Sequence, residues 1–223
     1  LDSLSLLDGL FAGTDIDIDF AGGKDIDLAD ILGVPLPTFL GNDQIVLAGD
    51  GGTFANHALK LHSSSDIVNE AGGVQITAGA AITVSSDSSL TLDQGSSLTA
   101  TDLDLAANAN SGGLFMGLLA NPEARIRVDG ATLTASGNVK LTANATATVN
   151  ENGDTFFGNG LAATVVTSFG VADVTVTGNA VITAGGTLDL AAHAETNITA
   201  TVQNSTVKLL TVFAATDPRV TVD

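Results

Sequence analysis

Three stretches of this chain lie over one another: LTLDQGSSLTATDLDLAANA from Leu90, IRVDGATLTASGNVKLTANA from Ile126 and VTVTGNAVITAGGTLDLAAHA from Val174. A fourth copy opens with VTVD at Val220, so successive starts are separated by 36, 48 and 46 residues. Repetition constrains the fold more tightly than any other feature. A short unit cannot bury its own apolar face, so it must bury it against the next unit. The shared skeleton is an alternating strand, a turn containing Gly, a strand reading (L/I)TA, a second turn, and then LxLxA or VxLxA.

The alternation fixes which side chains face inward. In Ile126-Arg127-Val128, Val139-Lys140-Leu141 and Leu188-Asp189-Leu190 the apolar residues share one face and the charged residue takes the other, the period of a half-buried strand. The strands are only about three to five residues long by this pattern. Gly95, Gly130, Gly137, Gly178, Gly185 and Gly186 fall between them, where corners need conformations closed to most residues. Thr, Val and Gly are poor helix formers, which excludes amphipathic helices. A β-sandwich would need hairpins, and the Asn-Gly pair at Asn159-Gly160 has no counterpart at equivalent points of the other units. Stacked parallel coils are the expected architecture. Coils of roughly 20–25 residues, each rising about 4.8 Å, would put six to eight of them in residues 71–223.

The units resemble the repeats of large bacterial filamentous adhesins and related exoproteins, most closely in VADVTVTGNAVITAGGTLDLAA at 171–192. The resemblance covers about residues 71–223. It implies a right-handed parallel β-helix, a β-solenoid, at a cell surface or secreted, serving in adhesion or as a stalk. The unequal intervals depart from the most regular members and argue against a uniform rod. Residues 1–70 lie outside it and form an acidic N-terminal part, expected to be a cap, a brace or further irregular coils. There Asp15-Ile16-Asp17-Ile18-Asp19-Phe20 alternates, and Asp25-Ile26-Asp27-Leu28 follows the same pattern.

Composition narrows the function. The chain has 7 Lys+Arg against 25 Asp+Glu, a net charge of −18, which leaves little to neutralise phosphates of nucleic acid or anionic lipid. Without Cys there is no disulfide framework, thiolate metal site or thiol nucleophile. No apolar run approaches the ~20 residues that span a bilayer, so membrane insertion is not expected. The opening Leu1-Asp2-Ser3 is not a basic leader, which suggests a processed product or a piece of something longer.

Candidate chemistry is sparse. Asp15, Asp17 and Asp19 share a strand face and could attract Ca2+, but they stand about 7 Å apart, too far to share one ion unaided. Their simpler role is to keep an exposed strand from aggregating. Gly41-Asn42-Asp43 and Gly49-Asp50-Gly51-Gly52 only loosely match a calcium-binding nonapeptide and do not iterate. Asp102 with Asp104, or Asp189 with Glu195, could form a carboxylate pair that cleaves polysaccharide. With no Trp or Tyr the sugar-stacking surface such a site needs is restricted to Phe. His57, His62 and His193 are scattered, and no catalytic motif surrounds them. Thr83, Thr91, Thr99 and Thr183 point outward and could order water, but Arg127, Lys140, Asp102 and Asp189 are expected on neighbouring outward positions. The apolar segments at 113–119, 155–157 and 209–213 are expected to line a widened core or a second coil of each unit.

These readings point to a structural or adhesive segment with no enzymatic activity and no assigned catalytic or cofactor-binding residue. Its metal status stays open, Ca2+ being the one candidate. Expected partners are other copies, a host or neighbouring cell surface, or a glycan. Two alternatives are a fibre subunit that joins end to end and a polysaccharide-binding or -cleaving β-helix.

Overall fold

The computed structural model describes residues 16–20, 44–47, 52–55, 57–112, 121–153, 161–202 and 207–223. The chain winds through three parallel sheets, A, B and C, visiting them in that order in each of the first five coils and reaching A and B in the sixth. The first coil contributes β1 (Ile16–Phe20), β2 (Gln44–Leu47) and β3 (Gly52–Phe54), the second β4 (Leu59–Ser63), β5 (Asp66–Asn69) and β6 (Gln75–Ala78). The third holds β7 (Ile82–Ser86), β8 (Ser89–Leu92) and β9 (Ser97–Ala100), the fourth β10 (Leu103–Gly112), β11 (Glu123–Asp129) and β12 (Thr132–Ala135). The fifth is built from β13 (Val139–Gly153), β14 (Leu161–Thr177) and β15 (Val181–Ala184), and the sixth from β16 (Leu188–Val202) and β17 (Val207–Val222). Every strand pairing is parallel. The β-solenoid expected from the repeat is therefore the observed fold.

The sequence repeat and the sheet register coincide. Leu90, Ile126, Val174 and Val220 stack rung on rung in sheet B, and Leu92, Val128, Val176 and Val222 form the second inward row. In sheet C the repeated (L/I)TA places Leu98, Leu133 and Ile182 in one inward row and Ala100, Ala135 and Ala184 in the next. LxLxA supplies sheet A, where Leu103, Val139 and Leu188 stack, as do Leu105, Leu141 and Leu190. The result is one continuous apolar core from Leu47 to Val176, with Leu98, Leu105, Leu133 and Val128 fully buried. At about 25 cal/mol per Å2 of apolar surface, no single coil could stabilise itself this way.

The sheets reach below residue 71, the further-coils alternative for the N-terminal part: strands within residues 16–69 supply the first and second rungs of sheets A and B and the first rung of sheet C. One feature differs from the expectation. Each repeat unit is one coil, so residues 71–223 do not make six to eight. From Leu59 the sheet A starts advance by 23, 21, 36 and 49 residues. The extra residues lengthen strands rather than add turns of the helix. Sheet A strands grow from 5 residues in β7 to 10 in β10 and 15 in β13, and sheet B strands from 4 in β8 to 7 in β11 and 17 in β14.

These extensions carry sheets A and B past the triangular core as a two-layered wing. Its inward residues are small: Ala107, Ala109, Ala143, Ala145 and Ala147 on sheet A, with Ser168 and Ala172 on sheet B, are all buried. A Cβ on Gly170 would reach the carbonyl of Ala145 and the methyl of Ala194, at 3.7 and 3.8 Å, so the layers meet there. Val149 and Ala147 pack with Ile198 as a separate small cluster farther out. Of the apolar segments assigned to a widened core, Val212 and Phe213 are instead exposed at 44% and 55%. Those at 113–119 and 155–157 lie outside the described residues.

The corners explain the glycines. Gly73 and Gly95 sit one above the other between sheets B and C with φ of 83° and 93°. A Cβ on Gly73 would stand 2.1 Å from the carbonyl carbon of Gly95. Both a left-handed backbone and the absence of a side chain are needed there.

Candidate functional surfaces

A solenoid with a filled core has only its outer faces and its ends to offer a partner. The three faces differ in chemistry. On sheet C the outward positions hold Thr53, Thr77, Thr99, Thr134 and Thr183 in a single ladder. Gln75, Ser97, Thr132 and Val181 form the column beside it. None of these positions is charged. The charges expected among the threonines lie elsewhere. Arg127 is on sheet B, Lys140 and Asp189 are on sheet A, and Asp102 occupies the corner between C and A. Thr83 is on sheet A and Thr91 on sheet B, so neither belongs to the ladder.

Sheets A and B carry charge in ordered rows. One row of sheet A runs Asp17, Lys60, Thr83, Asp104, Lys140, Asp189. One row of sheet B contains Ser89, Arg125, Asp173 and Arg219 on successive rungs. Below Ser89 stands Asp66, whose Oδ1 accepts the Ser89 hydroxyl at 2.7 Å. The chain has 7 cationic residues among 25 acidic ones, yet Lys60, Lys140, Arg125 and Arg219 each occupy the rung next to an Asp. Cross-strand opposite charges stabilise a sheet by roughly 0.2–1 kcal/mol, and like charges do the reverse. Within a strand, Arg125 pairs with Glu123 at 3.2 Å, and Arg127 and Arg219 pair with Asp129 and Asp217. Asp217 and the stacked Asp173 hold the exposed Arg219 guanidinium above its usual pKa, with the Asp217 hydrogen bond the larger cause.

Of the carboxylates considered for catalysis, Asp102 and Asp104 stand two residues apart, about 7 Å along the chain, but Asp102 is engaged by the backbone. Asp102 braces its corner: its Oδ1 accepts the backbone N–H of Asn138 at 2.8 Å, and the Oδ1 of Asn138 accepts that of Thr187 at 2.9 Å. Asp104 and Asp189 are separated by the Lys140 rung. Asp189 and Glu195 share one strand, roughly 20 Å apart along it, beyond the ~5–10 Å of a glycosidase pair. Glu195 instead accepts a hydrogen bond from Asn197 at 3.0 Å.

For Ca2+, positions 17 and 19 are in register with Lys60 and His62. Among the described residues no three His, Cys, Asp or Glu side chains converge on a metal position. Asp15, Gly41-Asn42-Asp43 and Gly49-Asp50-Gly51 lie outside the described residues.

Sequence spacing did not anticipate a cluster around His62. Its Nδ1 is 2.9 Å from Ser85 Oγ and its Nε2 is 3.8 Å from Asp87 Oδ2. The trio combines the residue types of a nucleophilic triad, but 3.8 Å is not a hydrogen bond. It stands on a partly exposed outer face. The 23-residue step from His62 to Ser85 matches the coil length and could have revealed it. His57 is buried at a corner and His193 is exposed on the wing.

No family model, curated protein or solved structure matches the chain.

Proposed function

We propose that this chain is a structural segment of a secreted or cell-surface bacterial protein, forming part of a stalk or adhesive shaft. What supports the reading is the single core running through six stacked rungs. Such an architecture gains length by adding coils, each burying its neighbour, and needs no closed pocket. The use of Asp102 as a corner brace and the net charge of −18 fit a hydrated extracellular scaffold. Antibodies against this chain should label intact cells that express the full-length protein, and its removal should weaken attachment to surfaces or neighbouring cells. Labelling only after the cells are opened would overturn the location. Release of reducing ends from acidic or neutral polysaccharides, lost on changing Asp102, Asp104 or Asp189, would overturn the structural reading in favour of a polysaccharide-cleaving one.

One observation favours a second reading. The sheet C face presents threonine hydroxyls at intervals of about 4.8 Å between rungs, with no charge among them. Such a grid can order a layer of water and so adsorb to ice. Inhibition of ice recrystallisation by the wild-type chain, abolished by Thr99→Lys with Thr134→Lys while the fold is kept, is the expected result. Equal behaviour of the wild type and the double variant would reject it.

A further inference from the structure

All three Arg of the chain, Arg125, Arg127 and Arg219, stand on the outer face of sheet B. Each is paired with an acid two residues away on that face: Glu123, Asp129 and Asp217. Asp173 lies on the rung between Arg125 and Arg219 and accepts the Thr175 hydroxyl at 3.1 Å. On the same strand and face as Asp173, Phe169 is 45% exposed and Val171 is half-buried. Phe169 belongs to the fifth coil, with a coil on either side, so its exposure is not an end effect. We propose that this face is a binding site for a neutral glycan, laid along β14 from Phe169 to Thr175.

The chemistry of the face selects that ligand. An Arg–carboxylate pair sets donors beside acceptors, and a sugar hydroxyl, which both donates and accepts, can use the two together. A phosphate or a uronate would be attracted by only half of each pair. Charge points the same way. The described outward positions of β11, β14 and β17 hold three Arg and four carboxylates, close to balance on a chain of net charge −18. The face therefore draws neither a polyanion nor a polycation strongly. Phe169 adds an apolar ring on which the C–H face of a pyranose can lie. An apolar platform with a few placed polar groups is the usual make-up of a ligand site. Phe169, Val171, Asp173 and Thr175 follow one another at about 7 Å, roughly 20 Å in all, which suits a short oligosaccharide rather than one sugar. The sheet C ladder offers hydroxyls but no aromatic ring. The inference deepens the adhesive part of the proposed function, on which it rests for its setting outside the cell, by naming what the shaft holds and with which face.

Native gel electrophoresis tests it, since a chain of net charge −18 migrates readily. Gels contain dextran, a galactomannan, a soluble β-glucan, alginate or no polysaccharide. At least one neutral polymer should retard the wild type, with little effect of added salt because no net charge is neutralised. Phe169→Ala should weaken that retardation about tenfold, and Phe169→Tyr should keep it. Arg125→Gln combined with Arg127→Gln should weaken it comparably, whereas Lys140→Gln on sheet A should leave it unchanged. All these positions face outward, and circular dichroism checks that each variant keeps the fold. Retardation by none of the neutral polymers, retardation that survives Phe169→Ala, or retention by alginate alone that salt abolishes would each overturn the proposal. The two readings fail separately. Cells that are labelled only when opened would remove the extracellular setting and leave the binding measurable, and loss of the binding would leave a shaft without this site.

Discussion

The carboxylate of Asp102 accepts the backbone N–H of Asn138 at 2.8 Å, although 36 residues separate them in sequence. The bond joins equivalent corners of successive coils, and Asn138 repeats the arrangement toward Thr187. A parallel strand ladder ends at a corner, and the orphaned N–H groups there need acceptors. A charge-assisted bond of this type contributes about 1.5–3 kcal/mol when shielded and less where water competes. Asp102→Ala should therefore cost about 1 kcal/mol in urea unfolding, and Asp102→Asn, which keeps an acceptor, clearly less. Equal losses would show that the acceptor does not matter.

Inward and outward facing can be tested at adjacent residues. Val128 is fully buried between Leu92 and Val176, whereas Arg127 is exposed between Thr91 and Thr175. Val128→Asp puts an unpaired carboxylate into an apolar stack, a cost of several kcal/mol. Arg127→Thr continues a threonine row and loses only the exposed pair with Asp129, so its cost should stay below about 1 kcal/mol. Thermal melts that shift equally would mean the facing is misassigned.

Gly72 and Gly73 separate backbone strain from steric overlap. Both have positive φ, at 107° and 83°, but a Cβ on Gly72 meets nothing within 4 Å while one on Gly73 runs into Gly95. Gly72→Ala should cost about 1–2 kcal/mol from the left-handed conformation alone. Gly73→Ala should cost distinctly more, because the neighbouring coil must shift. Similar melting temperatures for the two variants would contradict the close stacking of corners.

The rows of the solenoid were legible because alternation and repeat spacing report the same geometry. Leu90, Ile126, Val174 and Val220 align in sequence and stack in sheet B. The wing was not legible in this way. Stretches such as TANATATVN at 142–150 alternate Ala with polar residues, and Ala is depleted in strands, so the extra residues looked like insertions between strands. Only packing against another Ala-lined sheet makes them strands. The placement of the charges was hidden for a different reason. Arg127, Lys140 and Thr99 all read as outward, but alternation alone cannot assign them to different sheets, and so it could not show that the described outward positions of sheet C are uncharged. The place of the strands before residue 71 in the stack was obscured by their spacing, since 43 residues separate the register partners Ile16 and Leu59.

The wing should open without unfolding the core. It is held mainly by alanines, with Val149 and Ile198 farther out, so most of its residues bury less apolar surface than Leu or Ile would. Ala145 is fully buried at the point where a Cβ on Gly170 would touch its carbonyl. Ala145→Leu forces several extra carbons between the layers, and overpacking of this kind costs about 1–3 kcal/mol. Part of that cost can be relieved by the layers separating locally, because the triangular core does not depend on them. Amides of 143–149 and 168–172 should then exchange faster, while those around Leu98 and Leu133 keep wild-type protection. If exchange rises uniformly through sheets A, B and C, wing and core unfold as one unit and the two-part picture is wrong. If only the wing responds, the long strands are a separately stable attachment to the shaft, free to vary in length from coil to coil as β10, β13 and β16 do.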